Sequence, residues 1–364
     1  MDLSHPVMPR PTDRPPAPDG YWRLRLSTTA RGWNLLLDKR SVAVNGVLLI
    51  VLIVAALASL SLGTVKLSPL ETLHALMGQG ATMSQFVVQE LRLQRVLAGI
   101  ATGAALALSG CLMQTLARNR LATPGIIGID NAATAFAVAS VVSAGIAIAP
   151  SAMSLAGAAT ATALAFGLAG GSGTRGYRFI VAGLGIGAVA GAVTQVMLSR
   201  VAIDTANAAY PWTVGSLNAR EPLSTAILGA GLALGLMGAI YLGRYLRILQ
   251  FSDQVAVGLG IRLRQVRFAG LFLSVVLTGL AVAVAGPVGM VALLGPEAAR
   301  ALCRYRGVPL LASALAGAIV MVLADLTGRI MLAPIEIPVG IVTAIVGSPY
   351  LLWILLRRSP RSHL

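Results

Sequence analysis

Ten long apolar segments divide this sequence, and they constrain its fold more than any other feature. A helix needs about 20 mostly apolar residues to cross the hydrocarbon core of a bilayer, and most of the segments reach that length. Only 11% of the 364 residues are charged, whereas soluble domains carry about 25%. The pattern predicts an all-α polytopic membrane protein with about ten transmembrane helices, at 42–62, 96–116, 124–143, 148–169, 179–199, 223–243, 266–285, 287–303, 309–331 and 338–356.

The basic residues lie unevenly between these segments, as the positive-inside rule describes. With the N-terminus inside the cell, 22 of the 28 Lys and Arg residues fall on the inner side. The six on the outer side are Lys66, Arg92, Arg95, Arg200, Arg220 and Arg329. This asymmetry predicts that both termini are cytoplasmic. The net charge of +15 is therefore explained by membrane topology, and nucleic-acid binding is not needed to account for it.

The two ends of the chain differ from its apolar middle. Residues 1–20 are polar and rich in proline, so they are expected to be disordered. Residues 21–40 combine two tryptophans with five basic residues, a composition typical of a membrane-interface segment. The predicted organisation is a cytoplasmic tail at 1–40, a ten-helix transmembrane domain at 41–357 and a cytoplasmic tail at 358–364.

Two of the predicted spans share a glycine pattern. Gly103 and Gly110 in the second span have the same spacing as Gly279 and Gly286 in the seventh. The two spans are five apart, so they cross the membrane in opposite directions, as in inverted-repeat transporters. The pattern predicts an inverted repeat of five plus five helices.

The chain lacks a motif for binding nucleotide phosphates. A Walker A loop needs a lysine directly after a glycine, but the two lysines of this chain follow Asp38 and Val65. Cys111 and Cys303 match no metal-binding motif. We therefore expect no cofactor or metal on this chain, and we expect ATP and Mg²⁺ to bind to partner subunits.

Two other classes of protein fit the sequence less well. An ion-coupled secondary transporter would use carboxylates within the membrane, but Asp325 lies four residues before Arg329 and is predicted to form an intrahelical ion pair with it. An intramembrane enzyme is disfavoured because the sequence has neither a G-x-S-x-G nor an H-E-x-x-H motif, and its three histidines lie outside the predicted spans. No catalytic residues are expected, and ion-coupled transport is the alternative from another class.

Eight blocks of sequence resemble, in the same order, the FecCD-type permease subunits of iron–siderophore and vitamin B12 ABC importers. The resemblance covers about residues 60–357, and its blocks are 91–95 with 103–110 and Gln114, 118–128, 212–217, 256–261, 285–289, 296–300, 324–329 and 336–343. Four residues depart from the family pattern. Gln94 and Arg120 stand where proline is usual, Asp130 where Ser or Thr is commoner, and Glu297 where the family has His.

The resemblance implies a non-catalytic type II ABC importer permease of the bacterial cytoplasmic (inner) membrane. Such a subunit pairs with an identical copy or a paralogue, binds two cytoplasmic ATPase subunits and receives an extracytoplasmic substrate-binding protein. The implied substrate is an iron–siderophore or a similar metal chelate. Vitamin B12 and haem are the alternative substrates, because their permeases share these motifs.

The resemblance also assigns an ATPase-coupling loop. It comprises Ser252, Asp253, Gln254, Val255, Ala256, Val257, Gly258, Leu259 and Gly260. Ser252 is expected to cap a short helix. Val255, Ala256 and Leu259 recur at helical spacing and are expected to form the contact surface. The alternative interpretation is an ordinary loop at the membrane interface.

Arg92, Arg95 and Arg329 match family arginines that receive carboxylates of the binding protein. Arg92 and Arg95 are three residues apart, so they are expected to share a helix face. The alternatives are snorkelling to lipid phosphates and, for Arg329, the ion pair with Asp325.

Six further residues are candidates for the transport pathway or its gate. The polar ones are as compatible with hydrogen bonds to a neighbouring helix as with lining a pathway. The turn around Pro338 is predicted to be a gate element, with a purely structural turn as the alternative. The six are Gln114, Asn131, Gln195, Trp212, Pro338 and Gly340.

Overall fold

The computed structural model describes residues 20–25, 34–63, 65–143, 148–168, 177–303 and 307–356, and most of them are helical. The predicted disordered tail lies outside the described residues except for Gly20, and so does the predicted tail at 358–364. In chain order the elements are β1 (Tyr21–Arg25), β2 (Asn34–Asp38), α1 (Lys39–Ser61), α2 (Pro69–Leu76), α3 (Thr82–Gln85), a π-helical segment (Phe86–Leu93), α4 (Gln94–Ala117), a 3₁₀ turn (Pro124–Ile127), α5 (Ile129–Val142), α6 (Pro150–Leu168), α7 (Tyr177–Ser199), α8 (Ile203–Val214), α9 (Pro222–Ile248), α10 (Asp253–Gly258), α11 (Leu263–Ala285), α12 (Val291–Cys303), α13 (Leu310–Ile330) and α14 (Val339–Leu356).

Seven helices of the described residues are long and apolar enough to cross a membrane. They are Lys39–Ser61, Thr82–Ala117, Pro150–Leu168, Val181–Ser199, Pro222–Ile248, Leu263–Ala285 and Leu310–Ile330, and they coincide with seven predicted spans. The other three predicted spans contain α5, α12 and α14. α5 and α12 are short because turns at 124–128 and 286–290 take up the beginning of each predicted span.

The segment before α1 contains a β-hairpin that the sequence did not predict. β1 and β2 pair antiparallel, with Tyr21 opposite Asp38. Asp38 then ends the hairpin and begins α1, because its carboxylate accepts a hydrogen bond from the Ser41 N–H at 2.8 Å. This N-terminal cap satisfies one of the free N–H groups of the first turn.

α4 lies at the centre of the bundle and packs against α11, α12 and α13. Small residues make this packing possible, as is usual for helices in lipid. Gly103 faces the backbone of Gly317 in α13, and Gly110 faces the backbone of Ala292 in α12. The neighbouring helices therefore approach α4 at backbone distance.

Hydroxyl groups join α4 to α11 where the two helices cross. Ser109 Oγ lies 2.8 Å from the Ser274 carbonyl oxygen and 2.5 Å from Thr278 Oγ1. Ser274 Oγ in turn donates to the Ser109 carbonyl oxygen at 3.0 Å. Such hydrogen bonds contribute about 0.6 kcal/mol on average in membrane proteins, so the cluster sets the register of the crossing more than it stabilises it.

The loops gather at two ends of the bundle. One end, which we call the α10 end, holds the beginning of α1, the 118–128 segment and α10; there Arg40 donates to the Leu302 carbonyl oxygen at 3.3 Å. The other, the α8 end, holds α2, α3, α8, and the loops 215–221 and 331–338. The candidate site residues divide between these two ends and the helices that join them.

We expect Gly103→Val to destabilise the protein. Its Cβ would overlap the Gly317 carbonyl group and lie 2.7 Å from the Met321 Cβ, and overpacking typically costs about 1–3 kcal/mol. Gly229→Val on α9 is the matched control, because nothing lies within 4 Å of a Cβ there. The measurement is the unfolding temperature in detergent. Equal values for the two variants would contradict the close contact between α4 and α13.

Candidate functional site

At the α10 end, the predicted coupling loop forms a short helix with an exposed apolar surface. Ser252 Oγ accepts a hydrogen bond from the Val255 N–H at 3.3 Å, which confirms the expected cap. Four large apolar side chains are between 46% and 63% exposed: Phe251, Val255, Val257 and Leu259. Clustered apolar exposure of this kind usually marks an interaction surface.

Ala256 requires a correction. The helical spacing suggested that it shares the contact surface with Val255 and Leu259, but its side chain is completely buried. Its carbonyl oxygen accepts the Ile261 N–H at 3.0 Å, which closes the turn after α10. Ala256 therefore fixes the conformation of the loop, and its neighbours provide the surface.

Arg118 and Arg267 hold α10 against the transmembrane helices. Arg118 ends α4 in the left-handed conformation, and its guanidinium group donates to the carbonyl oxygens of Leu249 and Phe251 and to Asp253 at 2.9 Å. Arg267 of α11 donates to the other carboxylate oxygen of Asp253 at 2.7 Å. Sequence analysis missed Arg118 as a functional residue. The available signal was Asp253, the one acidic residue in a loop with five basic residues.

At the α8 end, Arg92 completes the C-terminal end of α1. It is only 6% exposed, and its guanidinium group donates to the carbonyl oxygens of Leu60 at 2.7 Å, Ser61 at 3.1 Å and Val65 at 2.5 Å. The last carbonyl groups of a helix have no partner within the helix, and a cation there is also favoured by the helix dipole. Arg92 supplies both the hydrogen bonds and the charge.

Arg95 and Arg329 share a buried carboxylate. Asp325, 4% exposed, pairs with Arg95 at 2.9 Å and with Arg329 at 3.2 Å, which confirms the predicted intrahelical pair. Arg95 also pairs with Glu336 at 2.8 Å, and Arg329 donates to the Ser59 carbonyl oxygen at 2.9 Å. The network connects α4, α13, α1 and the loop that precedes α14.

These contacts change the interpretation of the three predicted docking residues. Arg92 and Arg95 line one cleft at the α8 end, but their guanidinium groups bind different elements. Arg92 binds the end of α1, and Arg95 binds Asp325 of α13. The guanidinium groups of all three find acceptors inside this chain. Docking through them stays a prediction, and their internal role is structural.

Three of the predicted gate residues meet at the α8 end. The Gly340 N–H donates to the Gly215 carbonyl oxygen at 3.2 Å, and Trp212 and Pro338 line the same cleft. Gly215 has a φ of +82° and packs against Pro287, a conformation and a contact that a side chain would disturb. The turns that follow α8 and precede α14 are thereby joined directly.

The other three pathway candidates lie elsewhere. Gln114 is buried, donating to the Ala292 carbonyl oxygen at 3.3 Å and accepting from Arg300 at 2.6 Å. Asn131 donates to the Gly187 carbonyl oxygen at 2.9 Å. Both contacts match the alternative of hydrogen bonding between helices. Gln195 is exposed on α7.

Two neighbouring clefts open at the α8 end, with volumes of about 860 and 620 Å³. Arg92 and Arg329 line the larger, and Trp212 and Pro338 line the smaller. The wall between them is made by Arg95, Asn218, Ala219, Arg220, Glu221 and Glu336, which line both. Arg220 had no role in the sequence analysis beyond its place among the outer basic residues.

A bundle of apolar helices with an exposed apolar surface at one end and charged clefts at the other is typical of a polytopic membrane protein. The chain belongs to the FecCD transport family, whose sequence profile matches residues 50–357. This membership confirms the resemblance carried by the eight sequence blocks.

Individual relatives agree with the family assignment. The achromobactin transport system permease protein CbrC of Dickeya dadantii (strain 3937) is 36% identical over 85% of this chain and 90% of that protein. The ferric enterobactin transport system permease protein FepG of Escherichia coli (strain K12) is 34% identical over 84% of this chain and 93% of that protein. The structure of a metal-chelate type ABC transporter in an inward-facing conformation has a TM-score of 0.75 at 23% identity, covering 87% of this chain and 99% of that one. That structural match establishes the fold.

We expect Asp325→Asn to be strongly destabilising, because it leaves Arg95 and Arg329 without their buried counter-charge. Removing one partner of a buried ion pair typically costs about 3–5 kcal/mol. Glu336→Gln is the matched control: it removes the other partner of Arg95, but Glu336 is 43% exposed, and exposed pairs contribute about 0.2–1 kcal/mol. Unfolding in detergent measures both. A loss for Asp325→Asn as small as that for Glu336→Gln would show that the network is not a structural anchor.

Proposed function

We propose that this chain is the transmembrane permease subunit of an ABC importer that moves an iron–siderophore, or a similar metal chelate, across the bacterial cytoplasmic membrane. The observation that carries the proposal is the exposed apolar surface of α10, in a chain whose sequence relatives include ferric siderophore permeases. Hydrolysis of ATP with Mg²⁺ occurs on two partner ATPase subunits, and a substrate-binding protein delivers the chelate. A second permease subunit, identical or paralogous, completes the pathway.

The proposed topology has ten spans in two inverted halves of five. In this scheme α5, α12 and α14 are spans three, eight and ten, α4 corresponds to α11, and α6 corresponds to α13. Gly103 of α4 packs on α13, and its counterpart Gly279 of α11 packs on Ala158 of α6. Equivalent contacts at equivalent glycines support the repeat. The excess of basic residues supports a cytoplasmic α10 end.

This topology predicts the location of reporter fusions. A reporter after Leu364 or in the 170–178 loop should be cytoplasmic, and one near Leu217 should be on the outer side. The measurement is the activity of a reporter that folds on only one side of the membrane. An outer C-terminus would rule out the ten-span arrangement.

In the proposed mechanism, α10 receives the movement of the ATPase and passes it to the bundle. Arg118 and Arg267 clamp Asp253, so a displacement of α10 acts on the ends of α4 and α11. α4 continues through the π-helical segment towards the clefts of the α8 end. A conformational change of the helix pair could thus open the pathway between the two permease subunits.

Leu259→Asp should disrupt the contact with the ATPase and thereby stop ATP-driven uptake, because it places a charge on the surface proposed to contact the ATPase. The variant should insert normally, since Leu259 is exposed, and it should lose ATPase co-purification and at least about tenfold of its chelate uptake. Leu70→Asp is the matched control, because Leu70 is equally exposed on α2 at the opposite end. Wild-type uptake and ATPase stimulation in Leu259→Asp would remove α10 from the mechanism.

A further inference from the structure

We propose that Arg220 is an anion-binding residue of the α8-end clefts and receives an anionic oxygen group of the metal chelate, such as a carboxylate. The chemical class of the ligand rests on the proposed function, whereas the anion site rests on the geometry of Arg220 itself. Arg220 has fewer partners than the other arginines of the clefts. Arg92 has three carbonyl acceptors. Arg95 and Arg329 pair with Asp325. Among the described residues, Arg220 has one carbonyl acceptor and no carboxylate partner.

The surroundings of Arg220 hold its guanidinium group without neutralising it. Its Nε donates to the Ser216 carbonyl oxygen at 2.9 Å, and its guanidinium carbon lies 4.2 Å from the centre of the Trp212 ring. Its Nη2 has no hydrogen-bond acceptor. Across the part of the chain that the structure describes, Arg220 forms no ion pair, although Glu221 and Glu336 line the same clefts.

An unpaired charge in this position is costly for the empty protein. Burial and, to a smaller extent, the nearby charge of Arg95 together lower the pKa of Arg220 to about 10, so the group is still protonated at neutral pH. Stacking on an aromatic ring offsets only part of this cost, because removing a charge from water is more expensive than a cation–π contact returns. An anion that enters the cleft would supply the missing compensation.

The shape of the clefts favours a small ligand over a side chain of a docking protein. The larger cleft has about 860 Å³, within the range of about 300–1,000 Å³ for small-molecule sites. Arg220 lies in the wall between the clefts, while Asn218 and Glu221 are the exposed residues beside it. A docking protein would meet these exposed residues first. Trp212 and Ser216 pre-orient the guanidinium group, which reduces the entropic cost of binding.

The inference predicts a loss of anion binding without a loss of stability. Citrate and ferric citrate are titrated calorimetrically into the permease in nanodiscs, without the binding protein, and Arg220→Gln should weaken both at least tenfold. Arg220→Lys should retain part of the affinity. Arg200→Gln is the matched control, since Arg200 is exposed at the same end but lines neither cleft. The unfolding temperature of Arg220→Gln should stay close to wild type.

Three outcomes would overturn the inference. The wild type binds neither anion, Arg220→Gln binds both anions as tightly as the wild type, or Arg220→Gln weakens only the affinity of the permease for the binding protein. The last would identify the ligand as a carboxylate of that protein. ATP-driven uptake of ferric chelates by the assembled importer tests the proposed function separately. If the importer takes up no ferric chelate but anion binding depends on Arg220, the proposed function is rejected and the anion site is kept. If uptake is normal but Arg220→Gln binds anions as the wild type does, the function is kept and the anion site is rejected.

Discussion

The position of α4 depends on glycine, because only small residues let its neighbours reach its backbone. Lipid provides no hydrophobic drive for helices to associate, so their contacts come from close packing and hydrogen bonds. Gly103 against Gly317 and Gly110 against Ala292 bring α13 and α12 to that distance. Once α4 is buried, the residues near its two ends are fixed as well: Arg95 faces the clefts, and Arg118 holds α10.

Charge neutralisation in a medium of low dielectric explains how the α8 end accommodates arginines that are shielded from water. A buried charge is tolerated only when it is paired and hydrogen-bonded. Arg92 finds carbonyl groups at the end of α1, and Arg95 and Arg329 find the carboxylate of Asp325. These side chains therefore stabilise the bundle itself and do not depend on lipid phosphates. Arg220 departs from this rule, and that departure is what singles it out as a residue for a ligand.

The sequence was sufficient for features that are local or periodic. Long apolar runs predicted seven spans that the structure contains, and the cap at Ser252 and the pair of Asp325 with Arg329 followed from spacing of three and four residues. Features that depend on contacts between distant parts of the chain could not be predicted in this way. The spacing of Val255, Ala256 and Leu259 could not show that Ala256 faces inwards, because that depends on how the loop packs against the bundle.

The same limit applies to the arginines of the α8 end. Spacing placed Arg92 and Arg95 near one another, and both line the larger cleft, but it could not show that Arg92 binds the end of α1 while Arg95 binds Asp325. The structure also explains two of the residues that depart from the family pattern, because Glu297 and Arg120 contact each other. Glu297 pairs with Arg300 at 2.8 Å and with Arg120 at 3.7 Å, so the unusual acid and the unusual arginine face each other. Arg120 is 73% exposed, and the stronger contact of Glu297 is with Arg300.

The length of α4 relates these contacts to the membrane. A helix rises about 1.5 Å per residue, so the stretch from Arg95 to Arg118 spans about 35 Å. The hydrocarbon core is about 30 Å thick, which places Arg95 and Arg118 near its two boundaries. The apolar part of α4 therefore fits the core, and both arginines lie where carbonyl groups, carboxylates and water are available. The turns before Arg95 extend beyond the core and form one side of the larger cleft, so the helix that holds α10 at one boundary also shapes the clefts at the other.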